Sequence, residues 1–215
     1  DRAMTAVATP YLNSFSRDLT YAASRGALSY CVARDKEIEE VFRVVDSGRQ
    51  GVILVGETNS GKMSLIEGIA QLMVEGQVPA KLNDKRFEML SVSALLAGAS
   101  VSEAQERLMR LMREATHAKN IILYIHNIHD LINPGGGFDI SETLAEYQSS
   151  GRVLILASTT PEAYNRQILR SSLGALMTKV EVPEMTDAQA VQVLESRTGS
   201  VEYRQNVFFS YDALF

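Results

Sequence analysis

An apolar run, Val52-Ile53-Leu54-Val55, leads straight into Gly56-Glu57-Thr58-Asn59-Ser60-Gly61-Lys62-Met63 and then a helix-like stretch. A strand, a glycine-flanked loop ending in lysine, and a helix form the unit that wraps backbone N–H groups around phosphates. In the full pattern the residue after the lysine carries a hydroxyl for Mg²⁺. Here it is Met63, a thioether with no affinity for a hard cation that takes oxygen ligands. Ser64 does not repair the loss, because one step along a helix turns the side chain by about 100°, away from the phosphates. The competing reading is a glycine turn that merely carries a lysine. Lys62 speaks against it, since a helix N-terminus disfavours a cation unless an anion is present.

The flanking sequence places this unit in an α/β fold. Helical spacing predicts helices over Asp35–Val45, Lys62–Val74, Val101–Ala118, Ile140–Gln148, Thr160–Leu169 and Thr186–Ser196. Short apolar runs predict strands over Gly51–Val55, Arg86–Val92, Ile121–Ile125, Arg152–Ala157 and Lys179–Val182. Strands apolar on both faces that alternate with amphipathic helices indicate a parallel sheet covered on both sides. The expected architecture is a three-layer αβα phosphate-loop fold with a five-stranded parallel sheet, followed by the start of a helical lobe. The expected divisions are an arm or linker over 1–33, with 1–15 loose, a nucleotide-binding subdomain over 34–183, and a truncated helical subdomain over 184–215. The run Asn133-Pro134-Gly135-Gly136-Gly137 reads as a flexible loop.

Composition removes several function classes. The chain has 215 residues and a formal charge of −5, with no basic run to favour nucleic acid. One cysteine, Cys31, cannot form an internal disulfide, which fits a reducing cytoplasm. No apolar stretch approaches membrane-spanning length and no signal pattern opens the chain. His126 and His129 stand three apart before Asp130, a spacing that permits two ligands on a turn but shows no third, so no metal site is expected. His117 reads as a complement to the C-terminal dipole of its helix.

Beyond the loop, a series of segments resembles the first ATPase ring module of the Clp-type protein unfoldases, in the AAA+ superfamily. They are Phe15–Thr20, Gly26–Leu28, Val32–Ile38, Ile66–Ala70, Val74–Pro79, Ala94–Ala99, Asn120–Ile125, Ala157–Thr160 and Tyr211–Leu214. The resemblance covers nearly everything from about residue 15 onward. It implies that the phosphate loop from Gly56 to Ser64 binds ATP or ADP, that Cys31 and Val32 lie near the adenine, and that Thr159 reads the γ-phosphate. Read without the resemblance, Cys31 is a small buried apolar residue and Thr159 a helix cap or near-cap.

The same resemblance exposes departures. Its third strand ends in an Asp-Glu pair that orients Mg²⁺ and prepares the attacking water, and those positions hold His126 and Asn127. Its arginines before the fifth strand, which reach a neighbour's γ-phosphate, give way to Leu173-Gly174-Ala175-Leu176-Met177, with Arg170 and Lys179 out of place. Its substrate-gripping aromatic after Gly98-Ala99 gives way to Ser100-Val101-Ser102-Glu103. The expectation is a degenerate copy with no intact catalytic residue, weak ATP or ADP binding and doubtful Mg²⁺. By resemblance its partners are other copies or a second AAA+ ring in a hexamer, with client proteins or a protease subunit, and neither nucleic acid nor membrane. Two readings stay open beside it: a scaffold or protein-interaction module that never sees nucleotide, and an ATPase with rearranged catalytic residues.

Overall fold

The computed structural model describes residues 7–48, 51–133, 138–206 and 208–209. The Pro134–Gly137 part of the expected loop and the Tyr211–Leu214 segment lie outside them. The chain begins with α1 (Pro10–Phe15), β1 (Ser16–Asp18), α2 (Leu19–Ser24), α3 (Asp35–Ser47) and β2 (Gly51–Val55). It continues through α4 (Lys62–Glu75), β3 (Arg86–Leu90), α5 (Val92–Leu96), α6 (Val101–Ala118) and β4 (Ile121–Ile125). A 3₁₀ turn (Ile128–Leu131), a small β5–β6 pair (Ile132–Asn133, Phe138–Asp139), α7 (Ser141–Ser149) and β7 (Leu154–Thr159) follow. Then come α8 (Pro161–Ala163), a π-helical turn (Tyr164–Ile168), β8 (Met177–Glu181) and α9 (Asp187–Gln205).

The main sheet runs β1-β3-β4-β7-β2-β8. Its five expected strands are present and parallel, and a sixth, β1, adds antiparallel to β3 at one edge. Alternate residues of each strand feed opposite faces, as the period of two requires. Ile53, Val55, Leu123, Ile125, Ile155 and Ala157 pack under α1, α5, α6 and α7. Val52, Leu54, Ile122, Tyr124 and Leu156 pack against α2, α3 and α4. The three layers are therefore as the sequence implies.

The N-terminal segment departs from a loose arm. Leu12 and Leu19 are both fully buried, one in each apolar layer. Polar side chains hold the added strand: Ser16 Oγ donates to Glu88 Oε2 at 2.7 Å, and Arg86 pairs with Glu88 and, at 3.4 Å, with Asp18. Burial raises the Glu88 carboxyl above its usual range, although Ser16 and Arg86 oppose this. A three-residue strand of Ser, Arg and Asp carries no apolar alternation, so its pattern is silent. The expected helix over Thr160–Leu169 divides into α8 and the π turn, where the Leu169 N–H donates to the Tyr164 carbonyl at 2.9 Å.

Connectivity fixes where chemistry can sit. From β2 the chain leaps across to β3, returns through β4 and β7, and finally places β8 on the far side of β2. The crevice at the carboxyl ends beside β2 is thus the topological switch point, where open α/β sheets bind ligands.

Candidate functional site

The loop from Gly56 to Lys62 closes that crevice. Gly61 adopts φ +92°, the left-handed region, and a side chain on Gly56 would meet the Val182 carbonyl oxygen at 2.3 Å. Both glycines are therefore demanded by the loop's shape. Glu57, Thr58 and Asn59 are exposed while Ser60 is buried, its N–H bonded to the Glu57 carbonyl at 3.1 Å. The N–H groups of Gly61, Lys62, Met63 and Ser64 find no backbone acceptor among the described residues, and Gly61 offers no side-chain cap. The cap amide and the first three amides of a 14-residue helix thus point an unsatisfied positive end into the crevice.

Lys62 is buried beneath them. Its ammonium donates to the carbonyls of Gly56 and Glu57, each at 2.7 Å, with Ser60 Oγ at 3.4 Å. Loop carbonyls thus give a second reason for a cation at this helix start, one the sequence does not reveal. Burial lowers the lysine's pKa, and the Glu57 carboxylate partly restores it.

Two strands away, the end of β4 carries a hydrogen-bonded cluster. Tyr124 Oη donates to Ser158 Oγ at 2.9 Å, and the Asn127 N–H donates to the same oxygen at 3.3 Å. His126 Nδ1 lies 3.0 Å from both Ser158 Oγ and Tyr124 Oη. Burial, and then the Lys62 ammonium, hold His126 below its ordinary pKa; Asp130 raises it and His129 lowers it. Burial pushes the Tyr124 phenol far above its usual value, so it stays a donor. Thr159 is fully buried with Oγ1 3.0 Å from His129 Nδ1. The helix cap is its neighbour Thr160, whose Oγ1 accepts the Ala163 N–H at 3.3 Å. His129 Nε2 in turn lies 3.7 Å from Asp130 Oδ1.

The sheet and the loop it carries match a known family. Residues 52–182 match the model of the ATPase family associated with various cellular activities (AAA). The chain belongs to the AAA family. It is 32% identical, over 96% of its length, to the chaperone protein ClpB of Oceanobacillus iheyensis and to the Clp protease ATP-binding subunit ClpC of Staphylococcus epidermidis. It spans 26% of the length of either relative. Among solved structures it superposes on a Saccharomyces cerevisiae Hsp104–ADP complex with TM-score 0.84 at 28% identity, covering 93% of this chain and 29% of that one. The extended Hsp104–casein complex gives TM-score 0.81 at 28% identity, covering 92% and 35%.

Two further residues expected near the nucleotide lie in the segment before α3. Cys31 and Val32 are partly buried, and Cys31 crosses α4 so closely that a side chain on Gly68 would meet its Cβ at 2.4 Å. Burial raises the Cys31 thiol to about 11, although the nearby Arg34 opposes this, which leaves it unreactive near neutral pH. Arg34 is the residue that sequence reasoning passes over. It is fully buried, and its guanidinium donates to the Ser60 carbonyl, to the Pro183 carbonyl at 2.9 Å and to Glu37 at 2.8 Å. It thus joins the phosphate loop to the segment leading into α9, where Gln189 Nε2 donates to the Ala33 carbonyl at 3.3 Å. The signal was available: Arg34, like Lys62, is a cation at a helix start, against the dipole.

Two further segments have defined local roles. Ser100 and Glu103 form a reciprocal capping box at the start of α6. Before β8, Gly174–Leu176 is a 3₁₀ turn, Arg170 is exposed, and Lys179 is paired with Glu181 at 2.6 Å.

Proposed function

We propose that this chain is the nucleotide-binding module of a Clp-like protein-unfolding machine, with its own ATP hydrolysis impaired or absent. The amides of Gly61 to Ser64 and the Lys62 ammonium would hold the phosphates of ATP or ADP, with the base near Cys31 and Val32. The residues fit a nucleotide, because four unsatisfied amides need an acceptor. They do not fit Mg²⁺: Met63, His126 and Asn127 replace a hydroxyl and two carboxylates, and His126 is already bonded to its neighbours.

The observation that carries impaired hydrolysis is the cluster at the end of β4. Neutral Asn127 cannot take a proton from water, and losing a general base costs roughly 10²–10⁴-fold. Losing an arginine finger costs roughly 10³–10⁵-fold, and the Leu173–Met177 stretch contains no cation. The two factors are coupled and do not multiply cleanly, yet either one reduces a slow ATPase to near background. The capping box at Ser100 supports the same reading: the stretch that grips substrate in the family ends in a local helix cap here. By resemblance the module serves as a ring-forming or regulatory tier, in contact with other copies or a second ring, with clients or a protease subunit beyond it, in the cytoplasm. Among the described residues no helix is long and apolar enough to cross a membrane.

One observation favours a second reading, a scaffold that never binds nucleotide: Lys62 is satisfied by its own loop. Calorimetric titration with ATP and ADP separates the two, because a scaffold gives no heat and no thermal shift at millimolar ligand. A phosphate-release assay tests the hydrolysis claim. Brisk turnover that disappears in Lys62→Ala would establish an ATPase with rearranged residues instead.

A further inference from the structure

One proton arrangement gives every member of the cluster that replaces the acidic pair a partner among the described residues. Ser158 Oγ accepts hydrogens from Tyr124 Oη and the Asn127 N–H. In it the Ser158 hydroxyl hydrogen goes to the one acceptor left among the described residues, His126 Nδ1 at 3.0 Å. With Nδ1 accepting, the proton of the neutral imidazole sits on Nε2. Nε2 has no partner among the described residues. His126 lies at the carboxyl end of the sheet, the end at which α4 presents its unsatisfied amides, and the Lys62 ammonium is close enough to influence it. Where a metal-binding site needs an oxygen acceptor, this chain holds an N–H donor.

A donor has a different natural partner. It repels a cation and bonds a phosphate oxygen directly, without Mg²⁺ between them. Among the described residues no group of three or more His, Cys, Asp or Glu is placed to hold a metal ion. Two carboxylates act on the cations and imidazoles here: Glu57 raises the Lys62 pKa, and Asp130 Oδ1 lies 3.7 Å from His129 Nε2.

We propose that this site takes a metal-free nucleoside diphosphate, with the Nε2–H of His126 donating to a phosphate oxygen on the side where a metal would otherwise stand. This rests on the nucleotide-binding reading above. The diphosphate is favoured over the triphosphate on two grounds. No cation in Leu173–Met177 is placed to meet a third phosphate. In magnesium-containing solution ATP is largely complexed, whereas ADP holds the metal less tightly and offers more of its free form.

The test is calorimetric titration of ADP and ATP into the full chain, once with excess Mg²⁺ and once with EDTA. Both apparent Kd values are expected to weaken in excess Mg²⁺, which withdraws the free nucleotide, and the Kd for ATP, the tighter chelator, to weaken by about tenfold or more and further than that for ADP. His126→Phe, which removes the donor, is expected to weaken ADP binding in EDTA by about tenfold, the scale of one hydrogen bond to a charged group. His126→Gln, which keeps an N–H donor, is expected to recover most of that loss, with far-ultraviolet circular dichroism confirming that both variants fold. Nucleotide binding that requires Mg²⁺, or that is indifferent to His126→Phe in a folded variant, would overturn the proposal while leaving the nucleotide reading intact. No heat with either nucleotide in either buffer would overturn the nucleotide reading itself, and this inference with it.

Discussion

Replacing Arg34 by methionine isolates the joint between the phosphate loop and the C-terminal helix. The guanidinium is fully buried and serves three acceptors on three segments: Ser60 O, Pro183 O and Glu37 Oε1. Methionine fills similar volume but leaves two carbonyls without their donor, at roughly 1–3 kcal/mol for each buried unsatisfied group. Glu37, whose side chain retains 13% exposure, recovers part of its loss from water. A small gain opposes these costs, because Arg34 Nε has no acceptor and its burial is relieved. The net cost is about 3 kcal/mol, within the range for breaking a buried charged pair. For a chain of this size that corresponds to a melting temperature lower by about 6–12 °C. Urea unfolding should show the midpoint falling with the slope unchanged, since no extra surface is exposed. Glu37→Gln, which leaves both carbonyl bonds in place but takes the counter-charge from the buried guanidinium, should also destabilise the chain. A change within about 0.5 kcal/mol for Arg34→Met, the range of an ordinary surface substitution, would refute the assignment of Arg34 as a structural joint.

Three further outcomes follow from the geometry. Leu12→Ala should lower stability by about 2–5 kcal/mol in urea unfolding, as expected of a fully buried leucine; a neutral result would return the N-terminal segment to a loose arm. Gly56→Ala sets a methyl 2.3 Å from the Val182 carbonyl oxygen and should cost about 1–3 kcal/mol while weakening nucleotide binding, measured by unfolding and calorimetry together. His126, held below its ordinary value of 6.5 in the folded chain, binds fewer protons there than when unfolded. Stability should therefore fall as pH drops from 6.5 through the folded value, and His126→Gln should flatten that part of the profile.

Much of the fold can be read from periodicity because its signals are long or apolar. The eighteen residues of α6 show their buried face as Ala104, Leu108, Leu111, Met112 and Ala115, and the predicted bounds coincide with the observed ones. The continuous apolar run of β2 reads equally well, since it is covered on both faces. Strand β1 is illegible for the opposite reason: its residues are all polar, and Ser16 and Asp18 are held by Glu88 and Arg86, some seventy positions away in sequence. The phosphate loop is legible because its glycines answer to local geometry. The cluster at Ser158 is not, because its members sit on different strands and meet only when β4 and β7 pair. Sequence marks His126 as a missing carboxylate. Only the three-dimensional arrangement of Tyr124, Ser158 and the Asn127 amide shows what that imidazole has become.

Asn127 adopts φ +52°, a left-handed backbone that asparagine tolerates better than most residues. A glutamate placed at this position would have to hold the same twist, at a cost of roughly 1–2 kcal/mol. It would also arrive beside a serine already committed to a tyrosine and an imidazole. Any gain in proton-accepting power from Asn127→Glu therefore comes with a loss of stability.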